Sequence, residues 1–369
     1  MIKKIYLYIA KKFLLTTFLI VMSLSALVAI INIFEIIDKA NNVQISFWQI
    51  ISLDLLQIPS FLESISTFLI MLSAMITLFY LSSRSEITVM RSSGLSFSQI
   101  VMPIAFTSFL IGIFCLLVFN PLSILASKEF TKMEQILIKK ERNNLLAPAG
   151  GIWLKQTDSL QTGEEIIIRA EKIYKKNLKM KNVNFWLFDK NQKFYKKIDA
   201  KYATLKEEYW DLDSVIINDQ NNLNKNLPTF AIPTNLKEAF IRKKVLNNFE
   251  DVRLFSIYDL PMLIDDLRES GFSSRKFLVY YYSLLCKPIL FAAVSLIASF
   301  FVVNNVRGRN NIFLFGCGIV VGLVFYIGLI VTYSFGSSGA IPAFLSTWMM
   351  AIILLAIAIL TILKKEGSY

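Results

Sequence analysis

Catalysis needs nucleophiles, bases or ligands at workable spacing, and this sequence offers few. It contains no histidine, which excludes a histidine base, a Ser-His-Asp triad and histidine-ligated zinc. Its three cysteines, Cys115, Cys286 and Cys317, all fall inside apolar runs. They have no metal-ligand spacing and suggest no disulfide framework, so they read as small buried hydrophobes. No Gly-Lys dipeptide occurs, hence no phosphate-cradling P-loop. No catalytic residue, metal centre or cofactor is therefore expected, and energy for any transport must come from another chain. Two features remain: a mixed-polarity loop at residues 83–96, and three ionisable residues, Glu35, Glu63 and Lys287, set in otherwise apolar sequence.

The elements that position these residues are long apolar runs. Of 369 residues, 55% are apolar, above the roughly 45–50% of soluble domains. Six runs stand out, at 13–37, 61–81, 100–126, 277–303, 312–335 and 340–363. Each meets the requirement of about 20 apolar residues for a helix crossing a hydrocarbon core of roughly 30 Å. The net charge of +12 would on its own suggest a nucleic-acid or membrane-surface partner. The six runs decide for a polytopic membrane protein, with no nucleic-acid partner expected. The first run is too long for a signal-peptide core, and no clean small-x-small site follows it, so cleavage is not expected.

Basic residues orient the spans. Lys3, Lys4, Lys11, Lys12, Arg84, Arg91, Arg307, Arg309, Lys364 and Lys365 flank one side, against Lys39 alone in the short loops of the other. The positive-inside rule places both termini in the cytoplasm. The long connection at 127–276 then lies outside, and its many charges do not oppose this, because long domains translocate regardless of charge.

That connection reads as one inserted domain between a membrane half at 1–126 and another at 277–369. A helix over 127–146 continues the third span until Pro148-Ala149-Gly150-Gly151 breaks it. Strands are expected at 165–169, at 183–188 and around 210–216. In the last, Trp210, Leu212 and Ile216 share one face, with Val215 on the other. Turn residues at 218–222 separate candidates, and the pattern suggests a sandwich or open barrel. A helix capped by Ser256 runs to Gly271. Between spans one and two, residues 45–58 are apolar but interrupted by Asp54 and Pro59, which suggests an interfacial helix with Trp48 at headgroup level.

In the loop after span two, Ser83 or Ser85 can cap a short helix and Gly94 can end it in a left-handed conformation. Ile87 and Met90 share a face, while Arg84, Glu86 and Arg91 offer charges. Such a helix could dock on a soluble partner, and an ordinary solvated turn is the competing reading. The string Arg84-Ser85-Glu86-Ile87-Thr88-Val89-Met90-Arg91-Ser92-Ser93-Gly94-Leu95-Ser96 closely resembles the coupling-helix signature of the LptF/LptG permeases, the membrane subunits of the lipopolysaccharide exporter. Shorter matches follow in order: Gly151-Ile152-Trp153-Leu154-Lys155, Leu267-Arg268-Glu269-Ser270-Gly271 and Gly322-Leu323-Val324-Phe325-Tyr326. The start of the chain and span five are closer to the LptG branch.

The resemblance implies six transmembrane helices, a coupling helix at about 83–95 and a periplasmic β-jellyroll-like domain. It also implies residence in the bacterial inner membrane and no catalytic activity of the chain's own. Implied partners are a paralogous LptF-like permease forming a heterodimer, an LptB-like ATPase dimer, an LptC-like single-span protein, and lipopolysaccharide, which enters between spans one and five of opposite subunits. By similarity Glu86 contacts the ATPase, and Arg84, Met90 and Gly94 shape its helix. Family positions that meet lipid phosphates read Asn32, Asp38 and Lys39 here, with Glu35 between. Only Lys39 keeps a positive charge, so phosphate would need a divalent ion or the partner subunit nearby.

Lys287 lies about ten residues into span four, where an ionised lysine costs roughly 2.5–3.5 kcal/mol on insertion scales. Two readings stay open: Lys287 faces a lipid cavity and replaces missing positive charge, or it snorkels along a kink at Pro288. Gly316, Gly318 and Gly322 suggest close helix approach in span five. The alternative functions are a membrane sensor, for whose output domain the short interior connections leave no room, or a permease for another lipid or amphiphile.

Overall fold

The computed structural model describes residues 2–40, 45–137, 145–146, 152–157, 165–174, 179–189, 193–206, 209–219, 222–234, 252–269, 273–302 and 310–367. The break at 148–151, the helix end at Gly271, and Arg307 and Arg309 lie outside them.

With no water in a bilayer core, backbone groups there must bond within their own segment, so long apolar runs fold as helices. Six described helices are long and apolar enough to cross a membrane. The helices are α1 (Ile2–Lys39), α2 (Phe47–Ser83), α3 (Glu86–Ser92), α4 (Phe97–Phe114), α5 (Asn120–Leu137), α6 (Leu260–Glu269), α7 (Arg275–Val302), α8 (Asn310–Ser338) and α9 (Ala343–Gly367). A five-residue π-helical turn, Cys115–Phe119, joins α4 to α5, so these form one span. Hydroxyls inside the spans return to their own helix: Ser73 donates to Leu69 O, Thr77 to Ser73 O and Thr107 to Pro103 O.

Residues 47–58 do not form a separate interfacial helix. They are the first turns of α2, which continues through Pro59. Leu53 and Asp54 are buried, and this inward face keeps the segment in line with the span, while Trp48 remains exposed.

The chain divides into two units. One comprises Met1–Lys139, Phe255–Leu260 and Arg275–Tyr369; the other comprises Lys140–Leu254 and Pro261–Ser274. In the membrane unit, α7 is mostly covered by its own chain, whereas α1 and α8 are hardly covered. The core includes Leu78 of α2, Ile104 of α4, Leu290 and Phe291 of α7 and Leu354 of α9. The backbones of α4 and α7 meet where a Cβ on Gly112 would lie 2.5 Å from Pro288 Cα. Gly318 and Gly322 likewise face Met75 and Met71 closely, whereas Gly316 faces open space.

The β unit is an antiparallel meander of β3 (Glu165–Tyr174), β4 (Met180–Phe188), β5 (Phe194–Leu205), β6 (Tyr209–Asp219) and β7 (Asn222–Pro233). Two short strands, β1 (Leu145–Leu146) and β2 (Ile152–Thr157), pair with β3. The sheet carries a transverse crease. Buried positions run Ile166, Ile168, Ala170 and then Ile173 in β3. They run Met180 and then Val183, Phe185 and Leu187 in β4. In β5 they are Ile198, Ala200 and then Ala203, and in β6 Trp210, Leu212 and then Val215 and Ile217. Every one of these strands changes parity at the same row, and Asn182 (φ 51°) and Ser214 (φ 54°) in that row are left-handed. The pairing register runs unbroken through this row, so the four strands change face together and apolar positions stay buried on both sides of it. This corrects the face expected for β6. Ile216 is exposed and Val215 is buried, because Ser214 shifts the alternation.

Gly112→Ala is expected to lower the thermal unfolding midpoint of the detergent-solubilised protein, by an amount matching about 1–3 kcal/mol of overpacking. An unchanged midpoint would show that α4 and α7 can part without cost.

Candidate functional site

The short helix α3 exists because of what lies at its sides and end. Seven residues form a marginal helix in isolation. Here Ile87 and Met90 are buried, as members of one apolar cluster that also holds Ile9 and Phe13 of α1, Leu81 of α2, Leu95 and Phe97. At its C-terminus Leu95 N–H bonds Met90 O at 3.2 Å and Gly94 N–H bonds Arg91 O at 3.0 Å. This is the Schellman pattern, and Gly94 at φ +90° supplies its left-handed residue. Met90 and Leu95 bring the accompanying apolar contact. At the other end Ser85 occupies the cap position with φ 57° but makes no side-chain cap, and Ser83 donates instead to Tyr80 O. The turn between α2 and α3 therefore rests on a strained serine rather than a capping hydroxyl.

The charges lie outside this seat. Tyr8 OH of α1 donates to Glu86 Oε2 at 2.9 Å, in an exposed contact. Arg84 lies 4.6 Å and Lys12 Nζ 3.9 Å from the Tyr80 ring centroid, both within cation–π range. The four expected residues thus divide. Arg84 and Glu86 are polar groups at the surface, while Met90 is a buried anchor and Gly94 a backbone hinge. A further contact fixes the next helix: Ser98 N–H donates to Glu366 Oε1, near the end of α9, at 3.1 Å. Hydrogen bonds from the Ser98 hydroxyl, the Ser98 amide and the Ser96 hydroxyl hold the Glu366 carboxyl below its ordinary value of 4.5.

At the far end of α1, Asn32 is 8% and Asp54 of α2 only 3% exposed. The two side chains adjoin closely enough to interact, although Asn32 Nδ2 and Asp54 Oδ1 have no well-formed hydrogen bond among the described residues. Lys39 Nζ lies 2.7 Å from Glu35 Oε1 in an exposed i,i+4 pair, and Asp38 is exposed beside it. The one retained cation is thus already matched by a neighbouring carboxylate.

Lys287 turns into the bundle. Its Nζ lies 3.0 Å from Glu63 Oε1, with both side chains largely buried. Asn120 donates to the same Glu63 oxygen at 2.8 Å and to Tyr280 OH at 3.1 Å. The pair neutralises these two charges inside the membrane unit, whereas snorkelling or a free cation in a cavity would require no such partner. Lys287 pairs with Glu63 and Lys39 with Glu35, so the two cations sit in separate ion pairs. Sequence reasoning noted Glu63 and Lys287 separately. Their opposite charges at membrane depth were the available signal for a pair, and Asn120, the only amide in its apolar run, the signal for a third member.

These features define a multi-pass membrane protein with an inserted all-β unit and a short polar helix seated against the first two spans. Residues 7–364 match the family model of the lipopolysaccharide export system permease LptF/LptG. The chain belongs to that family, and so to the permeases of lipopolysaccharide export in the bacterial inner membrane. It is 24% identical over 330 residues to the lipopolysaccharide export system permease protein LptG of Haemophilus influenzae, covering 87% of each chain.

Lys287→Met strands Glu63 in a buried site. It should cost about 3–5 kcal/mol, most of it recovered in the Glu63→Gln/Lys287→Met double variant. Denaturant titration in detergent micelles measures both, and equal losses in the two proteins would argue against a coupled pair.

The Glu366 contact has a defined pH sense. A carboxyl whose folded value is depressed adds stability above its ordinary value of 4.5 and loses it as pH falls through the folded value. Glu366→Gln should therefore lower the melting temperature at neutral pH and converge with the parent protein in acid well below 4.5.

Proposed function

We propose that the chain is the permease subunit of an ATP-driven transporter that takes lipopolysaccharide from the outer leaflet of the inner membrane and passes it to a periplasmic bridge. Both termini and α3 face the cytoplasm, and the inserted domain, residues 127–276, faces the periplasm. Its partners in this reading are an LptF-like permease in a heterodimer, an LptB-like ATPase dimer and an LptC-like single-span protein. The chain supplies the path and the coupling surface, and hydrolysis belongs to the ATPase.

The observation that carries this reading is the construction of α3. Ile87 and Met90 are buried in the apolar cluster, while Glu86 at the start of α3 and Arg84, just before it at the end of α2, stay at the surface. An arginine on a nucleotide-binding subunit would meet Glu86 in a charge-assisted bond. When two ATPases close, they would push on α3. The push would reach α1 through the Tyr8–Glu86 hydrogen bond and through the apolar cluster that Ile87 and Met90 share with Ile9 and Phe13. α1 and α8 are the two spans least covered by their own chain, which suits spans one and five as the walls of a lateral opening. The lipid then sees different contacts in open and closed states, as any driven shift requires. Lys39 would meet a lipid phosphate once freed from Glu35, and Asn32 lies on the same helix as an uncharged donor.

Glu86→Ala should reduce recovery of the ATPase in pulldowns from detergent and abolish lipopolysaccharide export, with membrane insertion unchanged. Full complex recovery and normal export would remove the coupling role.

A further inference from the structure

Six residues, Phe255–Leu260, belong to the membrane unit although the chain before them, to Leu254, and after them, Pro261–Ser274, belongs to the β unit. This return segment is folded on itself and firmly held. Ser256 O accepts from the amides of Asp259 and Leu260, and Phe255, Ile257 and Leu260 are buried. The Phe255 ring meets Phe277 of α7 edge-on at 5.7 Å. Two hydrogen bonds bind the segment to the third span, and both reach the π-helical interruption. Ile257 N–H donates to Asn120 Oδ1 at 3.1 Å, and Tyr258 OH donates to Leu117 O at 3.1 Å. π-bulges inside helices recur at functional sites, and this one ends where Asn120 N–H bonds Cys115 O, five residues back.

Asn120 is fully buried, and its amide is committed on both sides. Nδ2 serves Glu63 of α2 and Tyr280 of α7, and Oδ1 serves the return segment. That set fixes the orientation of the amide, since only the nitrogen can face a carboxylate and only the oxygen can face an N–H. Glu63 is also the counterion of Lys287. One side chain therefore joins spans two, three and four to the stretch of chain lying between two parts of the β unit.

We propose that Asn120 is a positioning residue for export. It latches the return segment onto the π-bulge of span three, and it couples that latch to the Glu63–Lys287 pair. A change in the approach of α2 to α7 displaces the acceptor of Nδ2, reorients the amide and loosens its hold on Ile257. Movement among the spans is thereby delivered to the chain that enters and leaves the β unit. The latch itself stands on geometry, and its use in export rests on the function proposed above.

The test uses the whole assembled complex, in detergent for hydrogen–deuterium exchange and in liposomes for lipopolysaccharide release and ATP hydrolysis. Two variants serve, Asn120→Leu and the milder Tyr258→Phe, whose tyrosine is largely exposed. In both, exchange of the peptide spanning 252–260 should quicken, on the order of tenfold for one lost hydrogen bond of typical net strength. ATP hydrolysis should stay near the parent rate while lipid released per ATP falls several-fold, which a merely structural role would not produce. Unchanged exchange in both variants overturns the latch. Faster exchange with unaltered lipid per ATP overturns its role in export. If the parent complex neither hydrolyses ATP nor releases lipid, the proposed function fails, while the exchange measurement still decides the latch.

Discussion

A charge inside hydrocarbon must find its countercharge within the protein, and much of the membrane unit is arranged around one such pair. Lys287 and Glu63 come from spans far apart in sequence, so the bundle must hold α7 against α2 at that depth for either charge to be tolerable. Asn120 adds a donor to the same oxygen, bringing in the third span. Close backbone approach at Gly112 and Pro288 permits this, because a side chain at 112 would hold α4 away from α7. The polar group and the glycine are thus two parts of one constraint. The buried pair adds little to stability compared with apolar packing, yet removing one partner is costly, so it fixes which helices meet.

The opposite end of the bundle follows different physics. There the polar groups are exposed and individually weak, and shape carries the design. A seven-residue helix persists because Ile87 and Met90 are buried in the apolar cluster shared with α1, α2 and α4, and because Gly94 ends it with both bonds of a Schellman turn. The Tyr8–Glu86 contact means that the carboxylate already has a donor on α1. In the coupling role proposed above, a docking arginine would share or displace that phenol, so docking at α3 would bear on α1 through a single oxygen atom.

Much of this was legible in the sequence. Six apolar runs gave the membrane spans, because their length has no other stable use in a bilayer, and Gly94 after a short mixed-polarity run marked the end of α3. Failures came where a local signal was overridden by distant contacts. Pro59 and Asp54 read as interruptions, but burial of Leu53 and Asp54 carries α2 straight through them. Strict alternation placed Ile216 inward, but a left-handed Ser214 shifts the register of faces, and a serine announces no such bend. The Lys287–Glu63 pair was not legible because the partners lie 224 residues apart in the chain, beyond any periodic pattern.

The outer end of α1 shows what remains when the same rule is applied to the proposed substrate. A lipid bearing phosphates needs cations, yet Lys39 is matched by Glu35, Asp38 adds a further negative charge, and Asn32 lies beside a buried Asp54. Summed over these groups, the helix end is acidic rather than basic. A phosphate could approach only if positive charge came from outside the chain, either from a divalent ion bridging it to the carboxylates or from a paired permease. A heterodimer divides that labour naturally. In the heterodimer proposed above, the partner would supply the cations while this chain would supply apolar wall and coupling surface.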